Sequence, residues 1–324
     1  MKKVTFLNAI TEALDEELKR DPSVFLIGED LFGGGGYGQA LGLIEKYGPD
    51  RVIDTPISET AILGSSVGAA ATGLRPVPEI MYDDFAGVCG DEIINQLAKL
   101  RYMTGGQIKL PVTVRMATGA GSCSAAQHSA SMQGLFMSIP GLKIVTPATA
   151  YDAKGLLKSA IRDDNPILFL EHQFLLLSDE ISEIPEEEYT IPLGKADIKK
   201  EGSDVTVVTI ALMVHRALAA AEKLQEKGIS IEVIDLRTLV PLDKQAVLDS
   251  VRKTGRLVVM TEEPKTGNSA AEISAIVAEE AFDSLDAPIK RVCAPDTPVP
   301  FSPVLEKFFM PDEEDLIKAV TEIM

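Results

Sequence analysis

Hydrophobic and polar positions along the chain alternate between helical and strand periods. The first apolar residues recur at helical spacing, which predicts an amphipathic helix, at Phe6, Ile10, Leu14 and Leu18. Short apolar runs that predict buried strands follow at residues 24–27, 52–55, 77–81, 111–117, 143–146 and 167–171. Helical patterns separate them, including 84–103 and 151–162. Repeated strand–helix units with short connections predict a doubly wound parallel sheet.

This periodicity is lost in an acidic stretch that begins at residue 178, and it resumes at residue 205. We therefore predict a first domain over 1–180, a linker over 181–204 and a smaller α/β domain over 205–324. In the second domain, strand patterns occur at 205–211, 231–236, 257–261 and 289–292. Helical patterns occur there at 215–227, 270–282 and 311–324.

Composition narrows the possible functions. Only 5% of the 324 residues are aromatic and none is Trp, so the core must be built from aliphatic side chains, as in sheets covered by helices. The net charge of −18 argues against a nucleic-acid surface and against an anchor to an anionic membrane. That charge serves solubility in the simplest interpretation. In a sharper one, an acidic patch docks a basic partner.

The cysteines and the chain ends bear on location. Cys89, Cys123 and Cys293 are widely spaced and odd in number, which indicates a reducing compartment and argues against structural zinc. The N-terminus lacks the apolar run of a signal peptide, and no stretch reaches the ~20 apolar residues of a membrane span. We predict a cytoplasmic protein, although a processed organelle protein would have the same features.

Glu59 is the first candidate for chemistry. It stands where a predicted strand gives way to a helix of small residues, among apolar neighbours such as Ile57 and Ile62. A buried carboxylate in such a place can share a proton with a ring nitrogen of a cofactor. Alternatively, Glu59 is a first-turn acid of a helix capped by Ser58. The sequence leaves both interpretations open.

The chain has no Gly-Asp-Gly motif followed by paired asparagines, a motif that would hold Mg²⁺ and a diphosphate. It therefore looks like half of an active site, the other half being on a second polypeptide. The glycine run at 33–38 does not lead directly into a helix, so we interpret it as a mobile surface loop that could border a site mouth.

Two further positions follow strands or lie in loops. Phe85 follows a predicted strand, where ligands of open α/β sheets collect, and could stack on a heteroaromatic ring or simply belong to the core. His128 lies in a small, polar loop that starts at Gly119, so an acid/base or anion-binding role is favoured. We interpret His172 and His215 as structural or surface residues.

An ordered set of motifs then carries a family resemblance. The set includes Ile57-Ser58-Glu59, Tyr82-Asp83-Asp84-Phe85, Gln127-His128-Ser129, Asp235-Leu236-Arg237-Thr238-Leu239 and Thr297-Pro298-Val299-Pro300. Together they resemble the beta subunit of the thiamine-diphosphate-dependent 2-oxo acid dehydrogenases, which include pyruvate, branched-chain and acetoin dehydrogenases. The resemblance covers nearly the whole chain, and residues 189–197 and 282–303 look most like acetoin dehydrogenase beta chains.

The resemblance implies a pyrimidine-binding domain followed by a transketolase C-terminal-like domain. It implies an oxidoreductase that cleaves a C–C bond next to a carbonyl and transfers the acyl group to lipoamide of an acyltransferase. Glu59 would bond the aminopyrimidine of thiamine diphosphate, with Phe85 and Ile57 also at the cofactor. His128 would face the substrate. Ala130 and the apolar segment after Glu171 depart from the family pattern and leave the substrate uncertain.

Assembly and metals also follow from the resemblance. An alpha subunit would hold Mg²⁺ and share the cofactor in an α2β2 heterotetramer. K⁺ could bind at the positions that match the family's cation site: Val112, Ala160, Ile161, Asp163 and Asn165. Alternatively, these residues form only a polar helix end. Other readings are pyruvate as substrate, a sugar-phosphate transketolase-like half enzyme, and a non-catalytic scaffold.

Overall fold

The computed structural model describes all residues from 1 to 324, and they form two compact units. The first unit comprises Met1–Thr118 and Phe136–Leu193. The second comprises Gly119–Leu135 and Gly194–Met324. Segment 119–135 thus belongs to the second unit although first-unit residues flank it in the sequence, and no sequence pattern indicated this. The domain boundaries at 180 and 205 stay a prediction.

Strands and helices alternate through the first unit. Its strands are β1 (Lys2–Val4), β2 (Val24–Glu29), β3 (Val52–Thr55), β4 (Arg75–Tyr82), β5 (Thr113–Thr118), β6 (Lys143–Val145), β7 (Ile167–His172) and β8 (Ser182–Ile184). Its helices are α1 (Phe6–Arg20), α2 (Leu43–Tyr47), α3 (Glu59–Ala71), α4 (Ala98–Met103), α6 (Ala150–Arg162) and α7 (Gln173–Leu176). Between them α5 (Gln133–Met137) spans the boundary at residue 136.

The main sheet of the first unit is parallel. Its strands lie in the order β6-β7-β5-β4-β2-β3. Every residue of β2, β5 and β7 is buried, as expected for strands covered by helices on both faces. The predicted doubly wound parallel sheet is confirmed. The antiparallel pair β1–β8 was not predicted, and β8 lies in the segment interpreted as a linker.

Helices α1 and α6 are joined by an ionic seam. Lys154 donates to Glu12 (2.9 Å) and Glu16 (2.5 Å), and Lys158 donates to Glu16 (2.6 Å). Both lysine side chains are at most 1% exposed. Lysine is rarely buried so completely unless it is paired, so these contacts are what allow α6 to pack closely.

The helix expected over 84–103 is not continuous. A 3-10 turn covers Asp83–Gly87, and a π-helical stretch at Glu92–Leu97 leads into α4. Gly87 and Gly90 have low helix propensity, which accounts for the break near the end of β4. The aromatic side chain of Phe85 is therefore carried by a short turn.

The second unit has six strands, and five of them form its own sheet. The strands of the unit are β9 (Asp197–Lys200), β10 (Val205–Thr209), β11 (Ile231–Asp235), β12 (Thr238–Val240), β13 (Leu257–Pro264) and β14 (Lys290–Ala294). Its helices are α8 (Leu212–Glu226), α9 (Lys244–Thr254), α10 (Ser269–Glu280), α11 (Pro303–Phe309) and α12 (Glu313–Thr321). The sheet order is β14-β13-β10-β11-β9, with only β9 antiparallel to its neighbour.

The sequence analysis missed α9, although its boundaries carry clear signals. Asp243 caps its start by accepting from the Ala246 N–H, and Gly255 ends it in a left-handed conformation. No helix in the chain combines the length and apolar character needed to cross a bilayer.

A buried ionic network ties the central strands of the first unit together. Arg115 on β5 is 1% exposed and donates through Nε and Nη2 to both oxygens of Glu171 on β7, at 2.7 and 2.9 Å. Its Nη1 donates to Glu79 on β4 at 2.9 Å. Gln39 donates to Glu171 at 3.2 Å. One guanidinium therefore balances two buried carboxylates on the neighbouring strands.

Replacing Arg115 by Met should destabilise the chain by ~3–5 kcal/mol, because two buried carboxylates lose their cation. Urea denaturation monitored by circular dichroism measures the change. Arg252→Met, at an exposed pair with Asp249, is the matched control and should cost under ~1 kcal/mol. Equal losses in the two variants would contradict a central role for the network.

Candidate active site

Glu59 occupies the first turn of α3, directly after the loop that follows β3. Its side chain is buried, with the residue 8% exposed. Ser58 precedes the helix, but its hydroxyl donates to the Pro56 carbonyl at 3.1 Å and makes no capping hydrogen bond. The capping arrangement expected for a purely structural Glu59 is thus absent at Ser58. Glu59 is therefore a buried carboxylate at a helix N-terminus, where the helix dipole stabilises a negative charge.

The negative charge of Glu59 acts on two buried neighbours. Burial, and then repulsion from Glu59, raises the pKa of Glu29 at the end of β2 above its ordinary value. Burial, with Glu92 and then Glu59 contributing, raises the pKa of the Cys89 thiol to about 12. The surroundings of Glu59 therefore favour protonated or cationic groups.

An aromatic cluster stands at the end of β4. The Phe85 ring meets the Tyr82 ring edge-on, with centroids 5.5 Å apart. Tyr37 meets Tyr82 in the same manner at 6.2 Å. The Tyr37 hydroxyl donates to Gln173 Oε1 at 2.9 Å and lies 3.2 Å from the Tyr82 hydroxyl. Phe85 is half-buried. In contrast, Ile57 is 79% exposed, so it does not belong to the core of this unit.

The glycine run is anchored to the network below it, which differs from the free surface loop that we expected. The Gly36 N–H donates to Glu79 Oε1 at 2.9 Å, and Glu79 also binds Arg115. A Cβ added to Gly35 would lie 2.6 Å from the same oxygen, and its φ of +83° is left-handed. Glycine is thus required there because the backbone approaches a carboxylate.

Sequence reasoning missed Glu29, Glu79 and Arg115. Two signals could have found them. Glu29 ends an apolar strand, at the sheet edge where ligands of α/β proteins bind. Glu79 and Arg115 interrupt otherwise apolar strands, and charged residues in such places are rarely buried without a partner.

His128 lies in the second unit, whereas Glu59 and Phe85 lie in the first. It is half-buried in a loop closed by a hydrogen bond from the Gly119 N–H to the Ala130 carbonyl, at 2.7 Å. His172 is buried, and its Nδ1 accepts from the Phe174 N–H at 3.2 Å, a structural contact at the end of β7.

Four of the positions named for a cation lie at or just after the end of α6, and Val112 directly precedes β5. Carbonyls there already accept hydrogen bonds: Val112 from Ile167, Ala160 from Asp163, and Ile161 from Arg75. The carboxylate of Asp163 accepts from Lys143 at 2.5 Å and from both the backbone and side-chain amides of Asn165 at 2.8 Å. Burial by itself raises the pKa of Asp163, but the hydrogen bonds from Lys143 and Asn165 lower it, and the net pKa lies below the ordinary value.

Comparisons with known proteins define the class. Residues 2–177 match the transketolase pyrimidine-binding domain, and residues 194–316 match the transketolase C-terminal domain. A solved structure described as a split-gene transketolase, inactive beta4 tetramer, superposes with a TM-score of 0.80 at 24% identity, covering 99% of this chain and 98% of that one. This structural likeness shows the fold alone. The protein is a two-domain enzyme subunit of the transketolase-like class.

Full-length relatives narrow the family. The acetoin:2,6-dichlorophenolindophenol oxidoreductase subunit beta of Cupriavidus necator is 50% identical, over 100% of this chain and 98% of the relative. The pyruvate dehydrogenase E1 component subunit beta of Bacillus subtilis is 45% identical, over 100% and 99%. The chain therefore belongs to the beta-subunit family of the acetoin and 2-oxo acid dehydrogenases. Membership implies thiamine diphosphate as cofactor and an alpha subunit as partner.

Glu29→Gln should stabilise the chain increasingly as the pH rises above the ordinary pKa of 4.5. In the folded state the pKa of Glu29 lies above its ordinary 4.5, so ionisation costs stability as the pH rises beyond that value. The neutral amide removes this cost, and below the ordinary pKa the two proteins should be equally stable. Urea denaturation at pH values below and above 4.5 measures the stability difference between the variant and the unaltered protein. Glu45→Gln, at an exposed position of α2, is the control. A stability difference that does not change with pH would contradict the assignment.

Proposed function

We propose that this chain is the beta subunit of a thiamine-dependent dehydrogenase that cleaves a C–C bond beside a carbonyl and passes the acyl group to a lipoyl acyltransferase. The observation that carries the proposal is the buried carboxylate of Glu59 at the start of α3, within the segment that matches a pyrimidine-binding domain. The absence of a Gly-Asp-Gly motif supports a cofactor shared with a partner chain.

The residues present fit an aminopyrimidine. Glu59 would bind a ring nitrogen and hold a proton between its carboxylate and that nitrogen, and the acidic surroundings at Glu29 favour that proton. Phe85 would pack on the ring, and Ile57 would contact the cofactor from outside the core of the unit. When bound, thiamine diphosphate supplies a carbon nucleophile and an electron sink.

His128 would act at the acyl-transfer step. There a bond would form between the acyl carbon and one lipoyl sulfur, while the S–S bond and the bond holding the fragment to the cofactor would break. The second sulfur would take a proton to become a thiol. The acyl fragment supplies the two electrons that reduce the disulfide. The His128 side chain is suited to supplying that proton, because an imidazole ring can act as a general acid.

We further propose an α2β2 assembly in which the alpha chain holds Mg²⁺ and the diphosphate. Acetoin is the substrate we favour, on the likeness to the Cupriavidus necator chain, with pyruvate second. Among the 2-oxo acids, a difference of one or two methylenes changes binding by only ~1–3 kcal/mol, so chain length alone discriminates weakly between them. The cytoplasmic location stays a prediction.

K⁺ at the end of α6 is the last part of the proposal. Three backbone carbonyls each accept a hydrogen bond and have a second lone pair that a cation could use: those of Val112, Ala160 and Ile161. Asp163 and Asn165 adjoin them in the same turn. The guanidinium of Arg75 at the Ile161 carbonyl weakens the electrostatic attraction, so we expect a weak structural site.

Glu59→Gln should abolish turnover while leaving the assembly with the alpha chain intact, because the amide cannot exchange a proton with the cofactor ring. The two chains are co-expressed, and thiamine-dependent reduction of dichlorophenolindophenol is assayed with acetoin, pyruvate or a branched-chain 2-oxo acid. Glu45→Gln is the control. Wild-type turnover in Glu59→Gln would refute the assignment. A stable complex inactive with every substrate would favour the sugar-phosphate or scaffold alternatives.

Replacing Na⁺ by K⁺ in the buffer at equal ionic strength should raise the Tm of the complex by ~2–4 °C. A ligand that binds only the folded state stabilises that state. Differential scanning fluorimetry of the co-expressed complex measures the shift. In Asp163→Asn the difference between the two salts should disappear. The same Tm in both salts for the unaltered protein would rule out the K⁺ site.

A further inference from the structure

Three buried carboxylates of the second unit bind backbone amides of segment 119–135, and we call them the carboxylate clamp: Glu262, Glu263 and Glu306. Glu262 on β13 accepts from the Ala120 N–H. Glu263, the next residue, accepts from the Gly134 N–H at 2.7 Å. Glu306 on α11 accepts from the N–H groups of residues 121 and 123. None of the three is more than 6% exposed.

Glu306 makes the densest set of these contacts. Its Oε1 accepts from the Gly121 N–H at 3.0 Å, and both of its oxygens lie within 3.1 Å of the Cys123 nitrogen. The Cys123 thiol donates to Oε2 at 3.1 Å. Burial of a carboxylate is costly and is usually offset by a cation. Glu306 is paired instead with these donors of the loop, and no lysine or arginine forms an ion pair with it.

The backbone that Glu306 binds is in an unfavourable conformation. Cys123 has a φ of +58° and Ala125 a φ of +64°, in the left-handed region that residues with a Cβ seldom adopt. Charge-assisted hydrogen bonds to a fixed carboxylate can hold such a turn. It lies five residues before His128, so the path of the chain into the histidine depends on it.

The chain beyond His128 is fixed as well. The Gly119 N–H donates to the Ala130 carbonyl and closes the loop at 2.7 Å. Further on, a Cβ at Gly134 would lie 2.7 Å from the Gly267 carbonyl oxygen, so this glycine packs against backbone while its N–H binds Glu263. Burial raises the pKa of Glu263. His128 thus lies on a stretch held at both ends.

We propose that Glu306 is a positioning residue for His128, and that the carboxylate clamp keeps the histidine loop preformed for acyl transfer to the lipoyl group. This inference rests on the role proposed for His128. A glutamine at position 306 has one acceptor oxygen, and its NH₂ group would face the loop's amide donors. The turn at residues 121–125 would then relax, and the imidazole would lose its fixed position.

The experiment uses the complex co-expressed with its alpha chain and compares two acceptors, free lipoamide and dichlorophenolindophenol. Only lipoamide requires acyl transfer. Glu306→Gln should lower lipoamide-dependent kcat by about 10- to 100-fold, as expected for a misplaced catalytic group. Turnover with the dye should change by less than about 3-fold. Glu306→Asp keeps the charge and is the milder change for folding. Its lipoamide-dependent kcat should lie between those of the unaltered protein and Glu306→Gln.

Two further variants separate positioning from general damage. His128→Ala should show the same selective loss, and combining it with Glu306→Gln should cost no more than His128→Ala alone, because coupled residues are non-additive. Glu313→Gln is the matched control, since Glu313 lies in the same unit but pairs with Arg216 at 3.0 Å. It should leave both activities unchanged.

The outcomes distinguish the inference from the function it rests on. A selective loss in His128→Ala but not in Glu306→Gln or Glu306→Asp would overturn the positioning role and leave the proposed function standing. Equal loss with both acceptors in Glu306→Gln, or additive losses in the double variant, would reduce Glu306 to a structural residue. No selective loss in His128→Ala would refute the histidine's role and, with it, the inference.

Discussion

The pairing of Arg115 with Glu79 and Glu171 is the interaction on which the first unit depends. It joins β4, β5 and β7 at the centre of the sheet, where every neighbouring residue of β5 and β7 is buried. Without the guanidinium, both buried carboxylates would lose their cationic partner. Glu79 then uses its other oxygen to bind Gly36, so the same network sets the loop that carries Tyr37 to the aromatic cluster.

Buried carboxylates recur in different roles across the chain. Burial, and then repulsion from Glu59, raises the pKa of Glu29, which suits a site that keeps a proton. The carboxylates of Glu262, Glu263 and Glu306 bind backbone amides and shape a loop. Part of the net charge of −18 is therefore internal and tied to specific donors, beyond the solubility suggested by composition.

Local sequence signals predicted much of the fold. Strand and helix periods gave the parallel sheets and most helices, because a covered parallel strand needs a continuous apolar run. Glu59, Phe85 and His128 could be singled out by their positions after strands or in small polar loops. The pairing of Glu79 with Arg115 was missed, because only the register of β4 against β5 places these two charged residues opposite each other.

By itself, the sequence determined the class of fold and the family, since these follow from periodicity and from ordered motifs. Only the tertiary structure decided which unit holds segment 119–135 and which carboxylates bind it. Residues 120 and 262, or 121 and 306, are far apart in the chain, and no local pattern encodes their contact. Such pairs form because a buried amide and a buried carboxylate each need a partner once water is excluded.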